Sequence, residues 1–468
     1  MKRVYFIGIG GIAMANLACL LKERGYLISG SDLDTFGPSA ILLKKSEIKY
    51  FKNHKPDKVK TFKPDIVVIG NAIQRGNPSL EYVLNNRIPY CSMPELIKQE
   101  LLVRKKPIVI TGTSGKTTTT ALAAWILKEA GLKPTALVGG IMNNLNSGFL
   151  NGKGEYVVIE GDEYNSSFYD SCPKFLHYQP YIGLINNIQP DHLDIYGNIN
   201  NIINAFKKFV KLIPSEGLTI LNNQDNHSLS LGKDSKSRVK TFGRNRGIRT
   251  TNEIAVTPNG LSFAAYNSSQ RLGRVESSLL GKHNIENILA AITVSLELKI
   301  PFKKIIKAIA SFKGVRRRLE VIYEKDGLKI IDDFAHNPDK VLASLSALRS
   351  HFPKHNIIAI FEPRTGSSRR KFFQNSYVTS FKPADLVYIA EPYKKSSLNP
   401  KEVFSNKKLA IDLNKNGTRA YSLNTADEII MHIKENFLKP NASKSNIFCI
   451  MTSGEFDNIH QKLISLVS

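Results

Sequence analysis

The sequence predicts an α/β protein of three domains, each built on a largely parallel sheet wound by helices. Three observations carry this expectation. Strand-like apolar runs alternate with helical ones along nearly the whole chain, the pattern of doubly wound sheets. The 468 residues are about three times the roughly 150 of an ordinary domain. Two glycine-rich turns, Gly8–Gly11 and Gly112–Gly115, each follow a short apolar run and open a helical stretch. An apolar fraction of 42% and a charged fraction of 22% supply several cores and exclude a mostly disordered chain.

In the first block Val4–Ile9 reads as a strand and Ile12–Gly25 as a helix stopped by glycine. Tyr26–Ser29 and Asp65–Ile69 are further strands, and Glu81–Asn86 is helical. Lys2 and Arg3 ahead of an apolar stretch to Leu21 mimic a signal peptide. Gly8, Gly10 and Gly11 interrupt that stretch, however, and Asn16 stands where a lipobox ahead of Cys19 takes an aliphatic residue. Strand, glycine turn and helix is the better reading. A basic break at Arg104–Pro107 precedes the strand Ile108–Thr111, so the first domain is placed at residues 1–106.

The second block, 107–313, adds strands Tyr156–Ile159 and Tyr181–Asn186 and the helix Ile199–Leu212. Its polar stretch Ser228–Gln270, with pieces such as Gly260–Ala265, reads as a small antiparallel excursion before the closing helix Asn284–Leu298. The third block, 314–468, carries strands Leu328–Ile331, Ile357–Phe361, Asp385–Ile389 and Ile447–Thr452, spaced by helices.

Lys plus Arg number 65 against 40 Asp plus Glu, a formal charge of +25 that favours anionic partners. The cations are dispersed, with Arg316–Arg318 and Arg369–Lys371 the tight clusters, which argues against nucleic acid. Four scattered cysteines with no CxxC pair point to inert thiols, not a zinc site or disulfide framework. No other apolar run approaches the ~20 residues of a membrane span. A cytoplasmic protein is expected.

The residues that can do chemistry cluster in seven segments. The strand Ile108–Thr111 runs into Gly112-Thr113-Ser114-Gly115-Lys116-Thr117-Thr118, a turn whose amides and helix N-terminus suit phosphate. Lys116 would neutralise the outer phosphates and Thr117 reach Mg²⁺. Only two residues separate the glycines, where the usual P-loop has four. Gly8-Ile9-Gly10-Gly11-Ile12-Ala13 fits GxGxxA, with Asp32 about where a ribose-binding acid would sit. That segment suits NAD, another nucleotide diphosphate, or close packing alone. Glu160, Asp162 and Glu163 suit a hard cation or a solvated acidic turn. Asn186-Asn187 with Asp191-His192-Leu193-Asp194 suits a second metal, proton handling or a helix cap. In Gly281-Lys282-His283-Asn284-Ile285-Glu286-Asn287, two asparagines one turn apart could face a nucleobase or cap the helix. Arg316–Arg318 suits phosphoryl charge or a solvated turn, and Asp332-Asp333-Phe334-Ala335-His336-Asn337-Pro338 completes the set.

Taken together, these segments resemble the Mur ligase family, which builds the peptide of the bacterial cell wall. The resemblance covers nearly the whole chain. It implies a Rossmann-like N-terminal domain for the UDP-sugar, a central P-loop ATPase-like domain, and a C-terminal Rossmann-like domain for the amine. Two branches carry an N-terminal segment like Gly8–Met14. One attaches free L-alanine to UDP-N-acetylmuramate, and the other attaches the tripeptide L-alanyl-γ-D-glutamyl-meso-diaminopimelate during murein recycling. Gly70–Pro78, Asp162–Asn165, Lys174–Tyr178 and Glu362–Arg364 resemble the tripeptide branch more closely. Ser114 and Asn337 stand where histidines are common, and Phe206, beside Lys207, stands where relatives carry a carbamylated lysine, so that modification is not expected.

The resemblance implies ATP and Mg²⁺ as cofactors and small molecules as partners, with no nucleic acid or membrane, in a monomer or weak homodimer. ATP would be bound by Gly112–Thr118, His283, Asn284, Asn287, Arg318 and Asp333. Thr117, Glu160 and His192 would hold metal, and Lys116, His192 and Arg318 would be catalytic. Gly10, Gly11, Ile12, Asp32 and Asn71 would bind the UDP-sugar. Arg364, Ser367 and Ser368 are candidates for the peptide carboxylates. ATP would phosphorylate the lactyl carboxylate, and the peptide amine would attack the acyl phosphate. Arg318 and Asp333 would complete the site when domains close. Two rivals remain, a nicotinamide-dependent oxidoreductase resting on GxGxxA and a non-enzymatic nucleotide switch. The first leaves GTSGKTT and the acidic segments without a role, and the second leaves the third block without chemistry.

Overall fold

The first sheet comprises β1 (Arg3–Ile7), β2 (Leu27–Asp32), β3 (Tyr50–Lys52), β4 (Ile66–Ile69) and β5 (Tyr90–Ser92). Its order is β3-β2-β1-β4-β5, with every neighbouring pair parallel. The chain runs outward from β1 in both directions, so the end of β1 is a topological switch point, where open α/β sheets bind ligands. The structure, a computed structural model, describes residues 1–33, 35, 37–190, 196–395, 399, 402–437 and 445–468, except the side chain of residue 252.

The second sheet uses β6 (Lys106–Thr111), β7 (Thr135–Met142), β8 (Ser147–Leu150) and β9 (Tyr156–Gly161). A separate antiparallel ribbon, β10 (Asn165–Ser167) with β11 (Asp170–Pro173), follows. The sheet continues through β12 (Ile182–Ile185), β13 (Leu218–Asn222), β14 (Arg238–Gly243), β15 (Ile248–Thr257), β16 (Gly260–Asn267) and β17 (Gln270–Ser277). Its order is β17-β16-β15-β14-β13-β12-β6-β9-β7-β8, with β6 between β12 and β9 at another switch point. β6 is a β-branched run buried along most of its length, as a central parallel strand must be.

The polar stretch expected to be a small antiparallel excursion extends this sheet, and β14 pairs in parallel with both β13 and β15. Residues Arg238–Lys240 are exposed, which leaves little apolar pattern to read although β14 lies inside the sheet. The β7–β8 hairpin and the β10–β11 ribbon were not anticipated either. Each is short and carries glycine or serine where strand patterning relies on β-branched residues.

The third sheet holds β18 (Glu320–Lys325), β19 (Leu328–Asp333), β20 (Asn356–Phe361), β21 (Leu386–Ile389), β22 (Arg419–Ser422) and β23 (Asn446–Met451), ordered β18-β19-β23-β20-β21-β22. All its pairs are parallel except β18 with β19. Along β20, Ile357, Ala359 and Phe361 enter one core while Ile358 and Ile360 enter another, the period of two that a sheet covered on both faces requires. The α/β class expected from the sequence is therefore the one observed.

The chain forms two compact units. One comprises Met1–Ala255, Ser262–Ser278 and His283–Val315, and the other Val256–Leu261, Leu279–Lys282 and Arg316–Ser468. Within the first, one apolar cluster runs from the helix Ile12–Glu23 to Leu137, Ile141 and Phe149 of β7–β8. Asn16 fixes that junction. Its Nδ2 donates to the carbonyl oxygens of Val138 at 3.0 Å and Gly140 at 3.3 Å, and its Oδ1 accepts from the Gly148 amide at 3.1 Å. Cys19, Cys91 and Cys449 are buried and Cys172 is exposed, all as free thiols. Among the described residues, no helix is long and apolar enough to cross a membrane.

Candidate active site

The turn after β6 is built by backbone geometry that only glycine takes easily. Gly112 has φ +131°, and a Cβ there would lie 2.9 Å from the Asn187 nitrogen. Gly115 has φ +80° and caps the helix Lys116–Glu129 without a side-chain cap. Asn187 frames the turn from β12's far end, accepting the Thr113 amide on its carbonyl and the Ser114 amide on Oδ1, both at 2.9 Å. The uncapped helix start leaves amides and the positive end of the helix dipole facing one space, an anion site by construction. Lys116 Nζ folds back to the Gly112 carbonyl at 2.8 Å and to Glu163 Oε1 at 2.9 Å. Thr118 is buried one residue beyond Thr117.

The carboxylates at the end of β9 divide among separate partners. Glu160 accepts from Thr117 Oγ1 at 3.0 Å and from the Gly139 amide at 2.7 Å. Burial pushes its carboxyl above the ordinary glutamate value, against the opposing charge of Lys116. Asp162 is met by Lys174 Nζ at 2.5 Å. Burial would raise the Asp162 pKa, but Lys174 and Lys116 outweigh it and hold the group below its usual value. Burial likewise works against the Lys116 ammonium, yet Glu163, Asp162 and Glu160 together lift its pKa above the lysine norm. The acidic segment is therefore not one three-carboxylate cage. Among the described residues, no group of three or more His, Cys, Asp or Glu could hold a metal by itself. The Thr117 hydroxyl and Glu160 are nonetheless hard oxygen donors side by side, the set that fits Mg²⁺, which keeps most of its shell as water and phosphate oxygen. His192, with Asp191 and Asp194, lies outside the described residues.

Asn284 and Asn287 lie inside the helix His283–Glu297, not at its cap, and both are buried. Asn287 Nδ2 donates to Asn284 Oδ1 at 2.8 Å, and its Oδ1 accepts from Thr119 Oγ1 at 3.1 Å. Asn186 Nδ2 reaches Thr119 Oγ1 at 3.0 Å, so this helix is tied to the phosphate-turn helix through amides. His283 Nε2 lies 3.3 Å from Asn284 Nδ2.

On the first sheet, Gly10, Gly11, Ile12, Asp32 and Asn71 sit at the carboxyl ends of β1, β2 and β4. Gly11 precedes the helix opened by Ile12, and no side chain caps it. The Asp32 carboxylate binds the Gly10 amide, while Asn71 is exposed in the turn after β4.

The second unit carries the remaining candidates. Arg318 is exposed between Arg317 at φ +61° and Leu319 at φ +49°, two left-handed non-glycine residues. Asp333 is buried and accepts from the Leu319 amide, the Ala335 amide and Ser344 Oγ at 2.8, 2.8 and 3.0 Å. Burial pushes its pKa up, with Arg318 opposing. The Arg364 guanidinium lies 3.7 Å from the Tyr393 ring centroid, with Nη1 on Glu362 at 3.2 Å. Ser367 is exposed, whereas the Ser368 hydroxyl is buried and accepts the Thr365 amide at 2.9 Å.

Three family models match successive parts of the chain. They are the Mur ligase family catalytic domain over residues 3–104, the Mur ligase middle domain over 110–295, and the Mur ligase glutamate ligase domain over 317–452. The chain belongs to the Mur ligase family. It is thus an ATP-dependent, ADP-forming ligase that makes an amide bond in peptidoglycan synthesis. The UDP-N-acetylmuramate–L-alanine ligase of Clostridium acetobutylicum is 36% identical over 465 residues, spanning 99% of this chain and 98% of that protein. The UDP-N-acetylmuramate–L-alanyl-γ-D-glutamyl-meso-2,6-diaminoheptandioate ligase of Haemophilus influenzae is 31% identical over 471 residues, 99% of each. The crystal structure of the UDP-N-acetylmuramate-alanine ligase of Thermotoga maritima shares the fold, with a TM-score of 0.83 over 99% of both chains at 24% identity.

Several residues beside the candidate side chains of this Mur ligase were not singled out for these contacts in the sequence. Gly139 leaves 2.7 Å between a Cβ and Glu160 Oε2, and its signal was present as a Gly-Gly pair inside a strand. Lys174 lay in a segment noted for its resemblance, but its partner Asp162 could not be read from it, and Tyr393, which stacks on Arg364, gave no local signal.

Proposed function

We propose that this Mur ligase joins UDP-N-acetylmuramate to the tripeptide L-alanyl-γ-D-glutamyl-meso-diaminopimelate in murein recycling, in the cytoplasm. The observation that carries this reading is a group of cations past the ends of β20 and β21. Arg364 lies on Tyr393, Arg369 Nη1 bonds the Tyr393 carbonyl at 3.1 Å, and Lys394 lies 5.2 Å from the same ring. The tripeptide presents three carboxylates and L-alanine one, so a cation cluster suits the longer amine. Ser367, and Ser368 within the same turn, complete the proposed peptide contacts. A second reading, ligation of free L-alanine, is favoured by the 36% identity to the Clostridium enzyme.

In this proposal residues 1–106 bind the UDP-sugar through Gly10, Gly11, Ile12, Asp32 and Asn71. Residues 107–313 bind ATP through Gly112–Thr118, His283, Asn284 and Asn287, and residues 314–468 bind the amine. Lys116 and the helix amides gather charge on the terminal phosphates as the lactyl carboxylate attacks the γ-phosphorus and ADP leaves, giving an acyl phosphate. One Mg²⁺, held by Thr117 and Glu160, would neutralise the phosphate oxygens, and His192 would hold a second Mg²⁺ or its water. Arg318 counters charge on the transferring phosphoryl group, and Asp333 serves the ATP site by fixing the Arg318 turn. The amine attacks in its neutral form, for which His192 is the candidate base by its place in the sequence.

The test is phosphate release from Mg²⁺-ATP with UDP-N-acetylmuramate, comparing tripeptide with L-alanine. Stimulation by tripeptide alone is the expected result. Stimulation by L-alanine alone would overturn it in favour of the second reading.

A further inference from the structure

A lysine ammonium has three N–H donors and no acceptor. Lys116 Nζ donates to the Gly112 carbonyl at 2.8 Å, to Glu163 Oε1 at 2.9 Å and, at 3.5 Å, to the Thr113 carbonyl, and it lies 2.7 Å from Glu163 Oε2 as an ion pair. The ion pair is secluded, with the Lys116 and Glu163 side chains 13% and 4% exposed. Phosphate can therefore reach Lys116 only by replacing one of these partners. The Thr113 carbonyl belongs to the same turn, fixed by the Thr113 amide and hydroxyl on the Asn187 and Gln189 carbonyls, and the Gly112 carbonyl is not free to leave either. Its residue sits at φ +131° against Asn187, and the next amide is bonded to the Asn187 carbonyl. Glu163 is held at its backbone, where its carbonyl accepts from Tyr196 Oη at 2.7 Å, but its carboxylate rides on rotatable bonds. Glu160 and Asp162 are engaged elsewhere, with Thr117 and Gly139 and with Lys174.

We propose that Glu163 is a positioning residue that holds the Lys116 ammonium as an internal ion pair in the ATP-free protein, and that the terminal phosphates of ATP take the ammonium over by displacing this carboxylate. Glu163 thereby sets ATP affinity without itself touching the reacting atoms. The inference rests on the phosphate-turn reading of Gly112–Thr118 and is independent of which amine the enzyme accepts.

The experiment is titration of the full-length chain with Mg²⁺-ATP, in the absence of sugar and amine. Glu163→Gln keeps the side-chain volume and removes the competing charge, so its ATP Kd is expected to tighten about three- to tenfold, the factor by which a closed minority-competent state weakens apparent binding. In a Lys116→Ala background the same change is expected to leave the ATP Kd unmoved. Thermal melts supply a second readout. Glu163→Gln melts lower than the wild type without ATP, and saturating ATP raises its Tm by more than it raises the wild type's. Glu163→Asp, whose shorter arm breaks the two-oxygen contact, should tighten ATP binding to an intermediate degree if the glutamine variant fails to fold. Unchanged or weaker ATP binding in the Glu163 variants would overturn the proposal, as would equal tightening in the Lys116→Ala background, which would reveal a general charge effect. A wild-type chain that bound no ATP would instead overturn the phosphate-turn reading beneath it.

Discussion

The Asp32 carboxylate, at the end of β2, accepts the Gly10 amide proton at 2.7 Å and the Leu33 amide proton at 2.8 Å. An acid on one strand thus fixes the glycine turn that follows its neighbour. Removing one such charged hydrogen bond is worth about 1–2 kcal/mol. Asp32→Ala should therefore weaken UDP-N-acetylmuramate binding about five- to thirtyfold by calorimetric titration. ATP affinity should not change, because the phosphate turn belongs to a different sheet.

Gly115→Ala should stop the reaction while leaving most of the fold intact. A left-handed φ costs an alanine about 1–2 kcal/mol. The added Cβ would also lie 2.3 Å from Asn287 Oδ1 and 2.8 Å from Asn186 Nδ2, so the turn must shift. Displacing a positioning group by about 1 Å can reduce rates ~100-fold. Phosphate release should fall at least that far, with only a few degrees lost in the melt.

Asp333→Ala should cost stability and rate together. It strands the Leu319 and Ala335 amides and the Ser344 hydroxyl, with a buried unsatisfied group costing about 1–3 kcal/mol. A loss of roughly 3 kcal/mol in urea unfolding is expected after relaxation. The Leu319 amide is the tether of the strained turn that presents Arg318, so kcat should fall more than the KM for ATP rises. Asp333→Asn, which keeps an acceptor, should recover part of both.

The Asp162–Lys174 pair predicts the direction of acid sensitivity. Burial opposes Asp162 ionisation, but Lys174 and Lys116 hold its folded pKa below the ordinary aspartate value of 3.8. Below that value the unfolded chain binds a proton that the folded chain still refuses, so stability falls as pH drops toward the folded pKa. The contribution is fully present above the unfolded value. Asp162→Asn should flatten the dependence of unfolding free energy on pH below ~4 and leave its slope above pH 6 unchanged. An identical slope in both proteins below pH 4 would contradict this assignment.

The sequence by itself determined the α/β class, the two glycine turns and the identity of the acids and bases near them. These are local facts. A strand, a turn that needs positive φ and a helix start lie within about a dozen residues, and hydrophobic periodicity reports which segments are buried. The Gly112–Gly115 turn and the end of β9 were legible for that reason. The same periodicity carries no record of which polar groups meet. Lys116 finds Glu163 across 47 residues, Asn16 finds Val138 across 122, and Thr119 finds Asn287 across 168. Only the tertiary structure decided that the three carboxylates after β9 serve three different partners, that Asn284 and Asn287 tie two helices together, and that a polar stretch extends the central sheet. Backbone pairing and buried hydrogen bonds are set by where the chain returns in space, and a satisfied polar pair leaves no pattern along the chain.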